Sequence, residues 1–204
     1  MEITIFIIAA YLLGSISFAV VVSRLSGLPD PHSYGSGNPG ATNVLRTGNK
    51  SAALFTLLGD AAKGWLAVWT TQQLATQYGL DTFAIAAVAI AVFLGHLYPI
   101  FHKFRGGKGV ATALGVLLAL NPLMGLCIFA IWIIIFSTTR VSSLAALIAA
   151  IASPFISLYF FGRDPIFVTV VLMSLLLIWR HRKNIYNLRA GTEGQIRKGS
   201  SNSR

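Results

Sequence analysis

Residues 109–139 read GVATALGVLLALNPLMGLCIFAIWIIIFSTT and carry no charged side chain from end to end. As one straight helix at about 1.5 Å per residue the stretch would reach about 47 Å, well past the roughly 30 Å of hydrocarbon in a bilayer. It is too short for two full crossings. Asn121-Pro122 near its middle is a turn signal, so the pattern predicts two short or tilted membrane helices, residues 110–120 and 123–137.

The rest of the chain agrees with a membrane setting. Of 204 residues, 55% are hydrophobic and only 11% charged, against roughly 25% charged in a soluble domain, and the mean hydropathy is +0.71. A formal net charge of +10 would suggest nucleic acid for a soluble protein. Here it reads instead as Lys and Arg crowding the loops of one membrane face, and no nucleic-acid partner is expected.

Further apolar runs predict spans at 3–23, 51–74 and 83–100 before the uncharged stretch, and at 141–161 (with Pro154 inside) and 166–179 after it. The expectation is an all-α integral membrane protein with seven transmembrane helices. With seven spans, 14 of the 16 basic residues share one face. Arg24, Arg46, Lys50, Lys103, Arg105, Lys108 and Arg140 lie in its loops, and Arg180, Arg182, Lys183, Arg189, Arg197, Lys198 and Arg204 in the tail. Only Arg163 is opposite, and Lys63 is inside a span. The positive-inside rule then places the N-terminus outside and the C-terminus in the cytoplasm. Residues 1–204 form a single polytopic domain on this reading, with 180–204 as a basic cytoplasmic tail. The N-terminus carries only Glu2 before its apolar run and has no small-x-small exit, so it reads as a first span and not a cleaved signal. Cys127 stands alone, which excludes an intrachain disulfide and predicts a packing role. No internal repeat is visible, which weighs against a transporter built from inverted repeats.

Three polar segments carry chemistry. The first to attract notice is Phe104-Arg105-Gly106-Gly107-Lys108-Gly109, directly before the uncharged stretch. Adjacent glycines can bend the backbone at positive φ and leave N–H groups bare. With a lysine and a helix start beside them they make an anion site. It is no Walker A loop, which would need glycine where His102 stands. The second is Gly35-Ser36-Gly37-Asn38-Pro39-Gly40-Ala41-Thr42-Asn43-Val44-Leu45-Arg46, with N–H, amide and hydroxyl donors and an arginine able to clamp an anion. The third is Arg180-His181-Arg182-Lys183-Asn184, in which His181 and Asn184 are one helical turn apart.

Asp60 and Lys63, spaced i,i+3 inside a span, are expected to neutralise each other and tie that span to its neighbours. Ser142 and Ser143 beside Arg140 form a further polar cluster on the same rim. His96 lacks ligand spacing to His102 and reads as a packed histidine; neither a metal nor a cofactor is expected. Apart from Asp60 and Lys63, all these groups converge on one membrane face, which implies a pocket for a multiply anionic ligand.

Taken in order, Gly35-Ser36-Gly37-Asn38-Pro39-Gly40-Ala41-Thr42-Asn43-x-x-Arg46, Gly95-His96-x-x-Pro99 with Phe104-x-Gly106-Gly107-Lys108-Gly109-Val110-Ala111-Thr112, and Arg180-His181-x-x-Asn184-Ile185-x-x-Leu188 with Gly191-x-Glu193 resemble the motifs of the bacterial acyl-phosphate:glycerol-3-phosphate acyltransferases, the PlsY family. The resemblance covers nearly the whole chain. It implies a multi-pass enzyme of the plasma (inner) membrane with its active site facing the cytoplasm. Such an enzyme moves a fatty acyl group from acyl phosphate to the 1-hydroxyl of glycerol 3-phosphate, giving lysophosphatidic acid and phosphate. It implies membrane lipid and the soluble enzyme that makes acyl phosphate as partners. By motif match, Ser36, Arg46, Lys108, His181 and Asn184 take the catalytic positions. Asn38, Thr42, Asn43, Gly106, Gly107, Gly109, Ser143 and Arg180 fall at substrate-binding ones. The hydroxyl proton has two candidate acceptors, His181 and a substrate phosphate. Ser36 as an acyl-carrying nucleophile is a rival, without a histidine–carboxylate pair spaced near it.

Overall fold

The computed structural model describes residues 2–194; Arg197, Lys198 and Arg204 of the expected basic tail lie outside the described residues. All regular structure among these residues is helical. The first helices are α1 (Glu2–Gly14), α2 (Phe18–Leu25), α3 (Ala41–Leu45) and α4 (Lys50–Tyr78). Next come α5 (Thr82–Leu97) with a 3-10 turn at Ile100–His102, then α6 (Val110–Leu120) and α7 (Pro122–Thr139). The chain ends in α8 (Ser142–Phe161), α9 (Pro165–Arg180) and α10 (Arg182–Arg189).

Four helix starts are written in the sequence. Asn49, Asp81, Asn121 and Asp164 each accept from a backbone N–H three residues on, at 2.9 to 3.0 Å. Pro122 and Pro165 follow the last two caps at the first helical position. The predicted turn at Asn121-Pro122 is thus a capped helix start.

One expectation needs correction. The first apolar run is not one helix: α1 and α2 meet at a 43° bend. Ser15 donates to the Tyr11 carbonyl at 2.9 Å and accepts from the Ile100 N–H at 3.3 Å, while the freed Ile16 carbonyl accepts from Lys63 Nζ at 2.6 Å. Tertiary partners for broken backbone bonds make the kink tolerable inside a membrane. By length and composition alone, α5 with its turn, α7 and α8 are long and apolar enough to cross on their own, and five crossings result if each bent pair, α1–α2 and α9–α10, counts as one. The 29-residue α4 has the length, but Asp60, Lys63, Gln72 and Gln73 dilute its hydropathy, and α6 has only 11 residues. Length and composition alone therefore recognise three to five crossings; the expected seven further require α4 and α6.

Close helix packing rests on glycine. A Cβ on Gly64 would strike the Thr112 carbonyl and one on Gly115 the Ala61 carbonyl, so α4 and α6 touch backbone to backbone. Gly14 and Gly95 do the same for α1 and α5. Val88, Val92, Phe93 and Leu97 make α5 the central helix, wholly buried at these positions. By contrast α7 turns Leu123, Leu126 and Ile134 outward. Cys127 on the same helix is exposed and not the packed thiol the sequence suggested.

Asp60 and Lys63 do pair, at 2.8 Å, both almost fully buried. His96 joins them, its Nδ1 3.4 Å from the same carboxylate oxygen.

Candidate active site

The three polar segments meet at one end of the helix bundle. The segment before α3 is organised by Asn43 of α3, which is only 3% exposed. Its Nδ2 donates to the Pro31 and Tyr34 carbonyls at 2.9 and 3.2 Å, and its Oδ1 accepts from the Ser36 N–H and hydroxyl at 2.9 and 3.2 Å. That fixes Ser36 with its oxygen lone pairs uncommitted. Thr42 lies 3.2 Å from Ser142, oxygen to oxygen, which ties α3 to the start of α8.

The glycine-lysine loop is shaped differently from expectation. Positive φ falls on Lys103 (52°), Phe104 (59°) and Gly109 (88°), not on Gly106 or Gly107. What glycine supplies at 106 and 107 is room. A side chain at Gly106 would overlap the His96 and Leu97 carbonyls, and one at Gly107 the His96 ring. The Gly107 N–H is also not bare; it donates to the His96 carbonyl at 3.1 Å. Arg180, expected to bind substrate, instead braces this loop. Its guanidinium donates to the Gly106 carbonyl at 2.6 Å and the Gly107 carbonyl at 3.1 Å, and lies 5.7 Å from the centre of the Tyr98 ring.

A polar relay crosses from the loop to the tail. Lys108 Nζ donates to Asn184 Oδ1 at 2.6 Å, Asn184 Nδ2 donates to Glu193 Oε1 at 2.6 Å, and the Ser143 hydroxyl donates to the same oxygen at 2.6 Å. His181, at the corner between α9 and α10, is 2% exposed, with Nδ1 2.8 Å from the Leu177 carbonyl. A carbonyl only accepts, so Nδ1 carries the proton and a neutral His181 presents a bare lone pair at Nε2.

These groups line one end of a cavity of about 1070 Å³. Ser36, Asn38, Thr42, Asn43, Arg46, Lys108, Ser143, His181, Asn184 and Glu193 reach its wall, as do Lys50 and, at the start of α6, Gly109 to Ala111. Gly106, Gly107 and Arg180 stand behind that wall. The cavity continues as an apolar arm between α6, α7, α8 and α9, past Leu117, Ile128, Trp132, Ala149, Val170 and Met173.

Burial pushes the Lys108 ammonium down to about 8, with Arg46 and Arg180 adding to the effect and Glu193 opposing it. Burial and then the Lys108 charge push His181 down to about 4, so the imidazole is neutral at pH 7. Burial alone would raise Glu193, but hydrogen bonds from Ser143 and Asn184 outweigh it and hold the carboxyl below its ordinary range. Among the described residues no three His, Cys, Asp or Glu side chains are placed to share a metal ion. Glu193 and Lys50 are the charged wall residues that sequence reasoning left without a site role. The Gly191-x-Glu193 spacing was the available signal for the first, and Lys50 had none beyond its charge.

A site with cations and amides at one end and a hydrocarbon-lined arm at the other accepts an amphiphile with an anionic head. The comparisons with known proteins agree. The glycerol-3-phosphate acyltransferase family model matches residues 4–191. A glycerol-3-phosphate acyltransferase of Ralstonia nicotianae is 62% identical over 192 residues, covering 94% of this chain and 93% of that one. One from Cupriavidus pinatubonensis is 60% identical over 192 residues, covering 94% and 95%. Among solved structures, the glycerol 3-phosphate form of PlsY (YgiH), an integral membrane glycerol 3-phosphate acyltransferase, superposes with a TM-score of 0.89 at 36% identity, covering 97% of this chain and 96% of that one. Its lysophosphatidic acid form gives 0.88 at the same identity and coverage. Sequence, fold and the chemistry of the cavity converge, and this chain belongs to the glycerol-3-phosphate acyltransferase family of integral membrane enzymes.

Proposed function

We propose that the acyl donor is acyl phosphate and that the acyl group passes directly to the 1-hydroxyl of glycerol 3-phosphate, giving lysophosphatidic acid and inorganic phosphate. The observation that carries this reading is the single cavity in which a small cationic mouth opens into an apolar arm. The mouth suits two simple phosphates, and the arm suits the chain of the donor.

A phosphate monoester carries about −1.5 to −2 at pH 7, and Arg46, Lys108, Lys50 and the start of α6 face that charge. Asn184 and Glu193 aim Lys108; Ser36, Asn38, Thr42 and Asn43 orient the acceptor; Ser143 fixes the tail. The glycerol oxygen attacks the acyl carbonyl carbon, the bond from that carbon to the phosphate oxygen breaks, and phosphate leaves with the electron pair. A mixed anhydride needs no strong protein nucleophile, so holding the two substrates together and neutralising phosphate charge supplies most of the acceleration. His181, at about 4, is a weaker base than a phosphate dianion, whose second pKa is about 6. His181 therefore accepts a hydrogen bond from the hydroxyl through Nε2, and the proton ends on phosphate. Ser36 donates to the Asn43 amide and to no imidazole or carboxylate among the described residues, which favours direct transfer over an acyl-serine.

In this reading residues 1–204 form one polytopic domain of the inner membrane. α1–α2, α4, α5, α6, α7, α8 and α9 give seven crossings, with the N-terminus outside and the C-terminus and cavity mouth in the cytoplasm. There a soluble enzyme delivers acyl phosphate. The test is a product assay on detergent-purified protein with acyl phosphate against acyl coenzyme A. Lysophosphatidate from acyl phosphate, without metal and without coenzyme A, is expected; product from the thioester alone overturns the donor assignment.

A further inference from the structure

Three consecutive carbonyls of the glycine-lysine loop are capped by basic side chains. Arg180 takes those of Gly106 and Gly107, as described. The third, Arg105, is 3.0 Å from Nε2 of His32. His32 stands in the segment between α2 and α3, and its other ring nitrogen, Nδ1, is 2.7 Å from Asp30 Oδ1. The same Asp30 oxygen accepts the His32 backbone N–H at 2.9 Å, and that bond, with the ring contact behind it, holds Asp30 below the ordinary carboxylate range. Both partners of the ring are therefore obligate acceptors: a peptide carbonyl and an ionised carboxylate. A neutral imidazole has one N–H and can serve only one of them.

We propose that His32 is a positioning residue which, as an imidazolium, clasps the Ser36 segment to the glycine-lysine loop and holds the Arg105–Gly106 peptide with its carbonyl turned onto the clasp. In a trans peptide the N–H points opposite to the carbonyl. Fixing Arg105 and Gly107 from the carbonyl side thus fixes the direction of the Gly106 and Lys108 N–H groups, which have no partner among the described residues. A cationic donor on each carbonyl also polarises the peptide toward a more positive N–H. The inference rests on the reading of this loop as a phosphate site. It makes the grip of that loop depend on one half-buried side chain outside the cavity wall.

The groups facing His32 are few. Asp30 lies on its own segment, His102 of the 3-10 turn is 6.2 Å away between ring centres, and Arg105 is on the loop.

The experiment measures the Kd of glycerol 3-phosphate for the detergent-purified full chain by calorimetry between about pH 5.5 and 8, the range in which an imidazole titrates. Wild type, His32→Arg, His32→Gln and His102→Gln are compared. Arginine supplies both N–H bonds at every pH, so the ratio of Kd in wild type to Kd in His32→Arg is expected to rise about three- to tenfold across the range. The phosphate's own ionisation cancels in that ratio. His32→Gln is expected to bind weakly throughout, with no such rise against His32→Arg, and His102→Gln to keep the wild-type step. Parallel profiles for wild type and His32→Arg overturn the clasp, as does a step that disappears with His102→Gln. Glycerol 3-phosphate failing to bind any variant overturns the phosphate-site reading and the clasp with it; binding without the step overturns the clasp alone.

Discussion

The protein holds two polar clusters made from the same kinds of side chain, and they share a wall, since Asp60 and His96 reach the cavity floor. In the inner cluster the charges are matched within the protein. Lys63 is 2.8 Å from Asp60 and donates to the Ile16 carbonyl at 2.6 Å, while His96 approaches the same carboxylate oxygen at 3.4 Å. In the outer cluster they are not. Arg46 has no ion-pair partner among the described residues, and Lys108 donates to a neutral amide. A charge answered inside the fold ties helices together, whereas a charge left open awaits a ligand. The inner cluster joins the α1–α2 bend to α4 and, through His96, to the back of the glycine-lysine loop; the outer cluster faces the open cavity.

The largest effect expected from this contrast is on stability. Lys63→Met leaves Asp60 buried without its cation and removes the bond to Ile16, which is expected to cost about 3–5 kcal/mol. The thermal midpoint in detergent should fall steeply, and Asp60→Asn added to Lys63→Met should restore part of it. A midpoint unchanged from wild type would mean that Lys63 is free for substrate and the contrast is false.

Arg46→Ala and Lys108→Ala should do the reverse. Each is expected to lower kcat/KM by about 10²–10³ with the thermal midpoint held, because neither charge is used by the fold. A collapse of the midpoint in either variant would move that residue into the structural class.

The third prediction concerns pH. Lys108 is depressed to about 8, so its charge is complete below that value and is lost as pH rises through it. kcat/KM for glycerol 3-phosphate should fall on the alkaline side of about pH 8, and Lys108→Arg should move that limb upward while lowering the plateau. His181, at about 4, should contribute no acidic limb above about pH 5. An alkaline limb unmoved in Lys108→Arg would assign it to another group.

Much of the outer cluster was legible in the sequence, because its residues sit in short motifs whose chemistry is local: glycines, a lysine and a helix start in one place, His181 and Asn184 one turn apart in another. The Asn121-Pro122 break was legible for the same reason, as a cap followed by proline. The α1–α2 bend was not. Gly14-Ser15-Ile16-Ser17 interrupts the apolar run there, but the partner that satisfies the opened backbone is Lys63, nearly fifty positions later. Gly106 and Gly107 were read as backbone-bending residues, but their role is set by the His96 carbonyl and ring pressing on them, which no spacing rule reports. Arg180 looked like one more cation for substrate until the carbonyls behind the loop claimed it. Glu193 reaches the relay only because the chain turns back after α10. Local chemistry could be read; the partner that decides a residue's role often lies on another helix.

The smallest effect expected is in the apolar arm, where neither cluster reaches. Ala149 and Ala150 of α8 line it and are nearly buried. Ala150→Phe fills part of the arm without touching the mouth, so glycerol 3-phosphate binding should be unchanged while long acyl donors lose room. Each methylene kept out of the arm should cost about 0.8 kcal/mol, roughly fourfold in relative kcat/KM. The discriminating measurement is the ratio of rates for a long-chain and a short-chain acyl phosphate, since a general loss of folded protein cancels from it. A ratio that moves toward the short donor makes the arm the acyl-chain channel. Equal losses for both donors would show that the chain lies elsewhere, leaving the mouth as a head-group site alone.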